Sequence, residues 1–192
     1  VEWLQSRLGV ITASEADALV TSKGKVKEGG AVDTYLYRKL AEKLTGYCPE
    51  MFDSYEMDQG RMMETTAIPF YEFTTGRKVE RVGFITTDDG AAGCSPDGML
   101  ENGSGLEIKC PQAPNHIKYL LGGVVPDEYV VQVQMSIWVT HAPYWTFLSY
   151  SRKLPALIVR ADPDPKIQAA ISEAVGTFTQ RMSAAVAAIT SK

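Results

Sequence analysis

An aspartate, a glutamate and a lysine fall close together in the stretch Cys94-Ser-Pro-Asp97-Gly-Met-Leu-Glu-Asn-Gly-Ser-Gly-Leu-Glu107-Ile-Lys109-Cys-Pro111. Its centre, Asn102-Gly103-Ser104-Gly105, is hairpin-turn chemistry between two short strand-like runs. Side chains alternate faces along a strand, so Glu107 and Lys109 point the same way. Asp97 begins the partner strand, where the hairpin brings it beside Glu107. Two carboxylates and one ammonium on one face suit a hard divalent cation and an activated water. Solvated charges on a hairpin would show the same spacing, because Glu-x-Lys patterns are common. The flanking Leu106 and Ile108, and Pro96 immediately before the aspartate, favour the site.

Three other groups of polar residues are conspicuous. Glu64 lies in an apolar helical pattern over residues 58–75, so it needs a salt-bridge partner such as Arg61 or a metal site. Gln132 and Gln134 lie on a helix that is apolar almost all round, where each must bond buried backbone or serve the site. Thr12 or Ser14 can cap a helix that follows Gly9, and Arg7 stands nearby. A helix N-terminus with a free hydroxyl and a cation can hold an anion, or it can be an ordinary cap.

The elements that must position these residues follow in order. A short helix ends at Gly9, and a second carries Ala16, Leu19 and Val20. Residues 21–31 form a polar, glycine-rich loop with Lys23, Lys25 and Lys27. An amphipathic helix over 32–46 stops at Gly46, and the helix over 58–75 contains Pro69 and stops at Gly76. Residues 78–87 alternate as a strand. With a turn at Asp88-Asp89-Gly90, a strand over 91–94 and the 97–110 hairpin, they predict an antiparallel meander. A short helix over 113–121, the helix opened by Pro126-Asp127-Glu128, strands over 143–150 and 156–160, and a final helix from Pro163 to about Ile189 complete the chain. The order predicts one α/β domain over residues 1–192, with a mixed central β-sheet flanked by helices.

Composition sets limits. The chain has 192 residues and is 45% hydrophobic, enough for one substantial core. No apolar run approaches the length of a membrane span, so no membrane association is expected. Residues 1–7 carry no apolar core of a secretory signal. Cys48, Cys94 and Cys110 form neither a disulfide framework nor an iron–sulfur set, which points to the reducing cytoplasm. His116 and His141 are too few for a histidine-rich zinc site. The net charge of -4 does not advertise a nucleic-acid partner, although Lys23–Lys27, Arg38/Lys39/Lys43 and Arg77/Lys78/Arg81 are local basic clusters.

Pro96-Asp97 followed by Glu107-Ile108-Lys109 resembles the P-D…(D/E)-x-K nuclease superfamily, with its restriction-endonuclease-like core. More closely, the chain resembles the phage lambda exonuclease family of viral alkaline exonucleases (YqaJ-like recombinases). The match runs through Arg7-Leu-Gly-Val-Ile-Thr-Ala-Ser14-Glu15, Gly60 with Glu64, Cys94-Ser-Pro-Asp97-Gly98, Gly105-Leu-Glu107-Ile-Lys109-Cys-Pro111, Leu121-Gly-Gly123, and Gln132-Val-Gln-Met-Ser-Ile-Trp-Val-Thr140. The resemblance implies that Asp97, Glu107 and the Ile108 carbonyl bind Mg²⁺, with Mn²⁺ as a substitute, and that Glu64 joins through water. It implies that Lys109 orients or deprotonates the attacking water, and that Gln132 holds the scissile region or the nucleophile. Arg7 and Ser14 would form a 5′-phosphate pocket, and Met57 an apolar wedge at the end of the duplex. The implied activity is 5′-to-3′ digestion of one strand of linear double-stranded DNA to mononucleotides. The implied setting is a phage or prophage enzyme in a bacterial cytoplasm. The implied assembly is a ring-shaped trimer, and the implied partner is a phage single-strand annealing protein. A site-specific or structure-specific endonuclease on the same core, and a non-catalytic DNA-end-binding module, are the competing expectations.

Overall fold

The hairpin forms where its turn residues predict it. In the computed structural model, which describes residues 5–47 and 66–191, Gly98–Leu100 (β5) and Gly105–Lys109 (β6) pair antiparallel, with Gly98 opposite Leu106 and Met99 opposite Gly105. Gly103 takes a positive φ of 77° in the turn, a conformation glycine adopts without steric cost. Asn102 closes the loop by accepting from the Ser104 amide and hydroxyl.

Around this hairpin lies a five-stranded sheet in the order β2-β5-β6-β7-β8, with β2 at Val79–Glu80, β7 at Trp145–Ser149 and β8 at Leu157–Ala161. β6 runs parallel to β7 and the other pairings are antiparallel, so the sheet is mixed, as expected. β6 is paired on both edges and nearly all buried. The β6–β7 connection runs through α3 (Ala113–Gly122) and α4 (Asp127–Thr140), the crossover that parallel neighbours need. Gly105 lets the Trp145 indole lie across the hairpin, where a Cβ would come within 2.2 Å of the ring.

The expected single meander is instead split between two sheets. β1 (Ile11–Thr12), β4 (Ala92–Cys94) and β3 (Ile85–Thr86) form a separate three-stranded sheet in the order β1-β4-β3. The stretch expected as one strand over 78–87 gives Val79–Glu80 to the larger sheet and Ile85–Thr86 to the smaller. Phe84 pins the crossing by lying over Gly93, at 2.4 Å from where a Cβ would stand. β1, which local pattern placed in a helix-capping segment, is made by parallel pairing with Ala92 and Gly93. The helix after it is a 3-10 helix over Ala13–Ala18, which stops short of the expected Leu19 and Val20.

α1 (Gly30–Thr45) ends on Gly46 at φ 67°, and α2, helical over residues 66–75, ends on Gly76 at φ 69°. Pro69 is accommodated within α2, and Phe73, expected on its apolar face, is exposed. α5 spans Pro165–Thr190, capped by the Asp164 carboxylate on the Lys166 and Ile167 amides.

α4 is the spine between the two sheets. Val131, Met135 and Val139 pack with Ile11, Ala92, Cys94 and α5, while Val133 and Ile137 pack with Trp145 and Phe147. A third cluster of Ala67, Tyr71, Leu106, Ile108 and Leu148 covers the other face of the larger sheet. No helix among the described residues is long and apolar enough to cross a membrane. Cys94 is buried, and burial pushes its thiol up to about 12.

Candidate active site

Strand alternation puts Glu107 and Lys109 on one face of β6, with Leu106 and Ile108 in the core behind them. Glu107 is 3% exposed. A carboxylate so deeply placed needs partners, and two converge on one oxygen. Lys109 Nζ lies 2.7 Å from Glu107 Oε1, and Gln132 Nε2 donates to the same atom at 2.6 Å. Asp97 enters from the other arm of the hairpin. Its amide donates to the Leu106 carbonyl, and its Oδ2 accepts from the Ile108 amide at 2.6 Å. The structure therefore brings Asp97, Glu107, Ile108, Lys109 and Gln132 together.

Burial alone would lower the Lys109 pKa, but the Glu107 and Asp97 carboxylates more than offset it. The ammonium is held above the ordinary lysine value. Its Nζ also lies 4.9 Å from the centroid of the Tyr129 ring.

The two glutamines of α4 divide. Gln134 bonds the Asp162 carbonyl, the Asp164 amide and Gln168, which accounts for it as a structural group. Gln132 faces Glu107.

Arg7 and Ser14 meet on either side of β1, with Arg7 Nη2 and Ser14 Oγ 3.4 Å apart. Thr12 does not cap the following helix; its hydroxyl donates to Glu15 Oε2 at 2.7 Å. Glu15 also takes Arg38 at 2.6 Å and Lys39 at 2.8 Å. Lys39 reaches Glu42 at 3.0 Å, and Glu42 accepts from the Gly9 amide at 3.1 Å. This ion network ties α1 to the segment between Arg7 and Ser14. Lys39, which the sequence groups with Arg38 and Lys43 as a basic cluster, is 3% exposed. The signal was its position between Leu36 and Leu40 on the buried face of α1.

Glu64 and Met57 lie outside the described residues. Among the described residues, no group of three or more His, Cys, Asp or Glu side chains is placed to hold a metal ion. The carboxylates of Asp97 and Glu107, with the adjacent main-chain oxygens, are hard donors of the kind Mg²⁺ takes, so the donor set fits that ion.

A family profile described as the YqaJ-like viral recombinase domain matches residues 2–143. Among solved structures, the alkaline exonuclease LHK-Exo from Laribacter hongkongensis is 27% identical, with a TM-score of 0.87 over 98% of this chain and 95% of the other. A structure of LHK-Exo in complex with dAMP superposes with a TM-score of 0.86 at the same identity and coverage. A phage-related exonuclease from Haemophilus somnus 129PT, 14% identical, shares the fold with a TM-score of 0.69, covering 94% of this chain and 96% of the other. No curated protein sequence matches the chain. The fold is thus a nuclease fold of the alkaline exonuclease type. The chain belongs to the YqaJ-like viral recombinase domain family. An exonuclease-type nuclease associated with viral recombination is the function class this membership carries.

Proposed function

We propose that this protein is a Mg²⁺-dependent exonuclease that digests one strand of linear double-stranded DNA from 5′ to 3′. It releases mononucleotides and leaves a 3′ single strand for phage-type single-strand annealing. The observation that carries the reading is the convergence of Lys109 and Gln132 on Glu107 Oε1, beside Asp97. The complex of LHK-Exo with dAMP supports it, because a mononucleotide is the product expected here.

Asp97, Glu107 and the Ile108 carbonyl would hold the ion, Mg²⁺ or Mn²⁺, and Glu64 would join them through water. When bound, the ion supplies Lewis-acid stabilisation of charge on the phosphate. The protein's own groups do the rest. Lys109 would orient or deprotonate the attacking water and neutralise the developing phosphorane. Gln132, anchored on Glu107, fixes the scissile region. Arg7 and Ser14 offer a cation and a hydroxyl to a 5′-phosphate. Met57 would part the terminal base pair.

In this reading the enzyme works in the bacterial cytoplasm as a ring-shaped trimer and passes its product strand to a phage annealing protein. Enclosure of the duplex is compatible with the chain's net charge of -4.

The test is time-resolved digestion of 5′-phosphorylated linear duplex against covalently closed circular duplex, with and without Mg²⁺. Release of acid-soluble mononucleotides from the linear substrate alone, abolished by EDTA, is expected. Cutting of the circle would establish an endonuclease, and binding of ends without release would establish an end-binding module. Dephosphorylated ends should be digested more slowly, and Arg7→Ala should erase that difference.

A further inference from the structure

We propose that Tyr129 is a positioning residue whose ring face holds the Lys109 ammonium in the active site. The inference rests on the reading of Lys109 as a catalytic residue.

A lysine carries a compact, strongly hydrated charge on a flexible stem, so its natural tendency is to swing into water. Lys109 is half-buried instead, with Nζ over the Tyr129 ring at 4.9 Å from the centroid. That distance is within the reach of a cation–π attraction. The ring is braced on several sides. Tyr129 stacks on Phe147 at 5.4 Å, and Phe147 is directly opposite Glu107 in the β6–β7 register. Tyr119 of α3 meets Tyr129 edge-on at 6.1 Å and 85°. The Tyr119 hydroxyl donates to Glu128, which fixes that edge to the first turn of α4. Tyr129 and Gln132 are three apart on α4, so one helix face delivers both to β6.

Ordinary core packing explains the stack on Phe147. The ammonium's place is set by two contacts, the ion pair to Glu107 and the ring face of Tyr129. The ring also supplies what Glu107 alone cannot. Glu107 Oε1 is shared between Lys109 and Gln132, and the same carboxylate belongs to the proposed donor set for a divalent cation. A neutral ring does not compete for that cation's charge, and it keeps Lys109 in place as demands on Glu107 change.

The test compares wild type, Tyr129→Phe, Tyr129→Leu and Lys109→Ala. Digestion of 5′-phosphorylated linear duplex is measured with Mg²⁺. The lysine ε-methylene resonances are recorded by ¹H–¹³C NMR on metal-free protein, with Lys109 assigned by its loss in Lys109→Ala. Tyr129→Phe keeps the ring and should retain kcat. Tyr129→Leu should lower kcat by roughly 3- to 30-fold with KM little changed. The Lys109 ε-methylene should be displaced upfield by the ring current in wild type and Tyr129→Phe, and should move to the position of the other lysines in Tyr129→Leu. Three results would overturn the proposal: a wild-type kcat in Tyr129→Leu, equal loss in Tyr129→Phe and Tyr129→Leu, or an undisplaced Lys109 resonance in wild type. The last needs no variant at position 129, so failure of Tyr129→Leu to fold does not protect the idea. Full activity in Lys109→Ala would instead sink the catalytic reading of Lys109, while the NMR still decides whether the contact exists.

Discussion

Gln132 Nε2 donates to Glu107 Oε1 across 2.6 Å, joining the middle of α4 to the middle of β6. The bond does two things at once: it satisfies a side-chain amide on a mostly buried helix, and it orients a carboxylate that is 3% exposed. Gln132→Ala should leave the fold intact and lower nuclease activity by roughly 10- to 100-fold, the cost typical of losing a group that orients a ligand. Gln132→Glu should be worse, because it sets a second carboxylate against the first. Steady-state digestion rates alongside circular dichroism would separate the two effects.

Asp97 has a structural task beside its proposed chemical one. Its Oδ2 accepts from the Ile108 amide at 2.6 Å. Asparagine can still accept that bond, and alanine cannot. Both Asp97→Asn and Asp97→Ala should abolish digestion while leaving DNA binding in place. Only Asp97→Ala should also lose stability, by ~1–3 kcal/mol for the orphaned amide. Chemical denaturation of the two variants tests this, and equal stabilities would remove the structural half of the argument.

The hairpin and the sheet meet at Gly105, and the space there is closed. A Cβ would stand 2.2 Å from the Trp145 ring, and Trp145 is fully buried with nowhere to retreat. Gly105→Ala should therefore cost ~1–3 kcal/mol through overpacking, read as a lowered Tm. Gly103→Ala is the contrasting case. No atom crowds a Cβ there, but φ is 77°, so its cost should come from backbone strain alone.

Glu15 carries a pH signature. Burial would raise its pKa, but bonds from Lys39 and Thr12 and the charge of Arg38 more than compensate, and the carboxyl sits below its ordinary value of 4.5. Because the folded-state value is the lower one, its stabilising contribution is complete above 4.5 and is lost as pH falls through that lower value. Glu15→Gln should lower Tm near neutral pH, and the gap to wild type should close in acid. Thermal melts over roughly pH 3 to 7 would check it. A gap that stays constant would show that Glu15 acts by packing.

The placement of the candidate site residues was more legible in the sequence than the topology around them. Glu107 and Lys109 could be placed on one face because strand alternation is local, and Asn102–Gly105 announces a turn without help from elsewhere. Pairing partners are not local. Gly83 is a local mark of the break within residues 78–87, but which sheet each half joins, and the fit of Phe84 over Gly93, are not local. Ile11–Thr12 becomes a strand only because Ala92–Gly93 lies alongside. Tyr129 gave no sign either: an aromatic on a buried helix reads as core until its ring is seen beneath an ammonium.

Consecutive residues on a helix are about 100° apart, so Gln132 and Gln134 project roughly 200° from one another around α4. One is fixed to β6 and the other to the segment leading into α5. Together they behave as two keys in a shaft that resist rotation of α4 about its own axis. The angle at which Gln132 meets Glu107 is thus set in part by a contact on the far side of the helix. A change at Asp164 or Gln168 should therefore be felt as torque at the bond between Gln132 and Glu107.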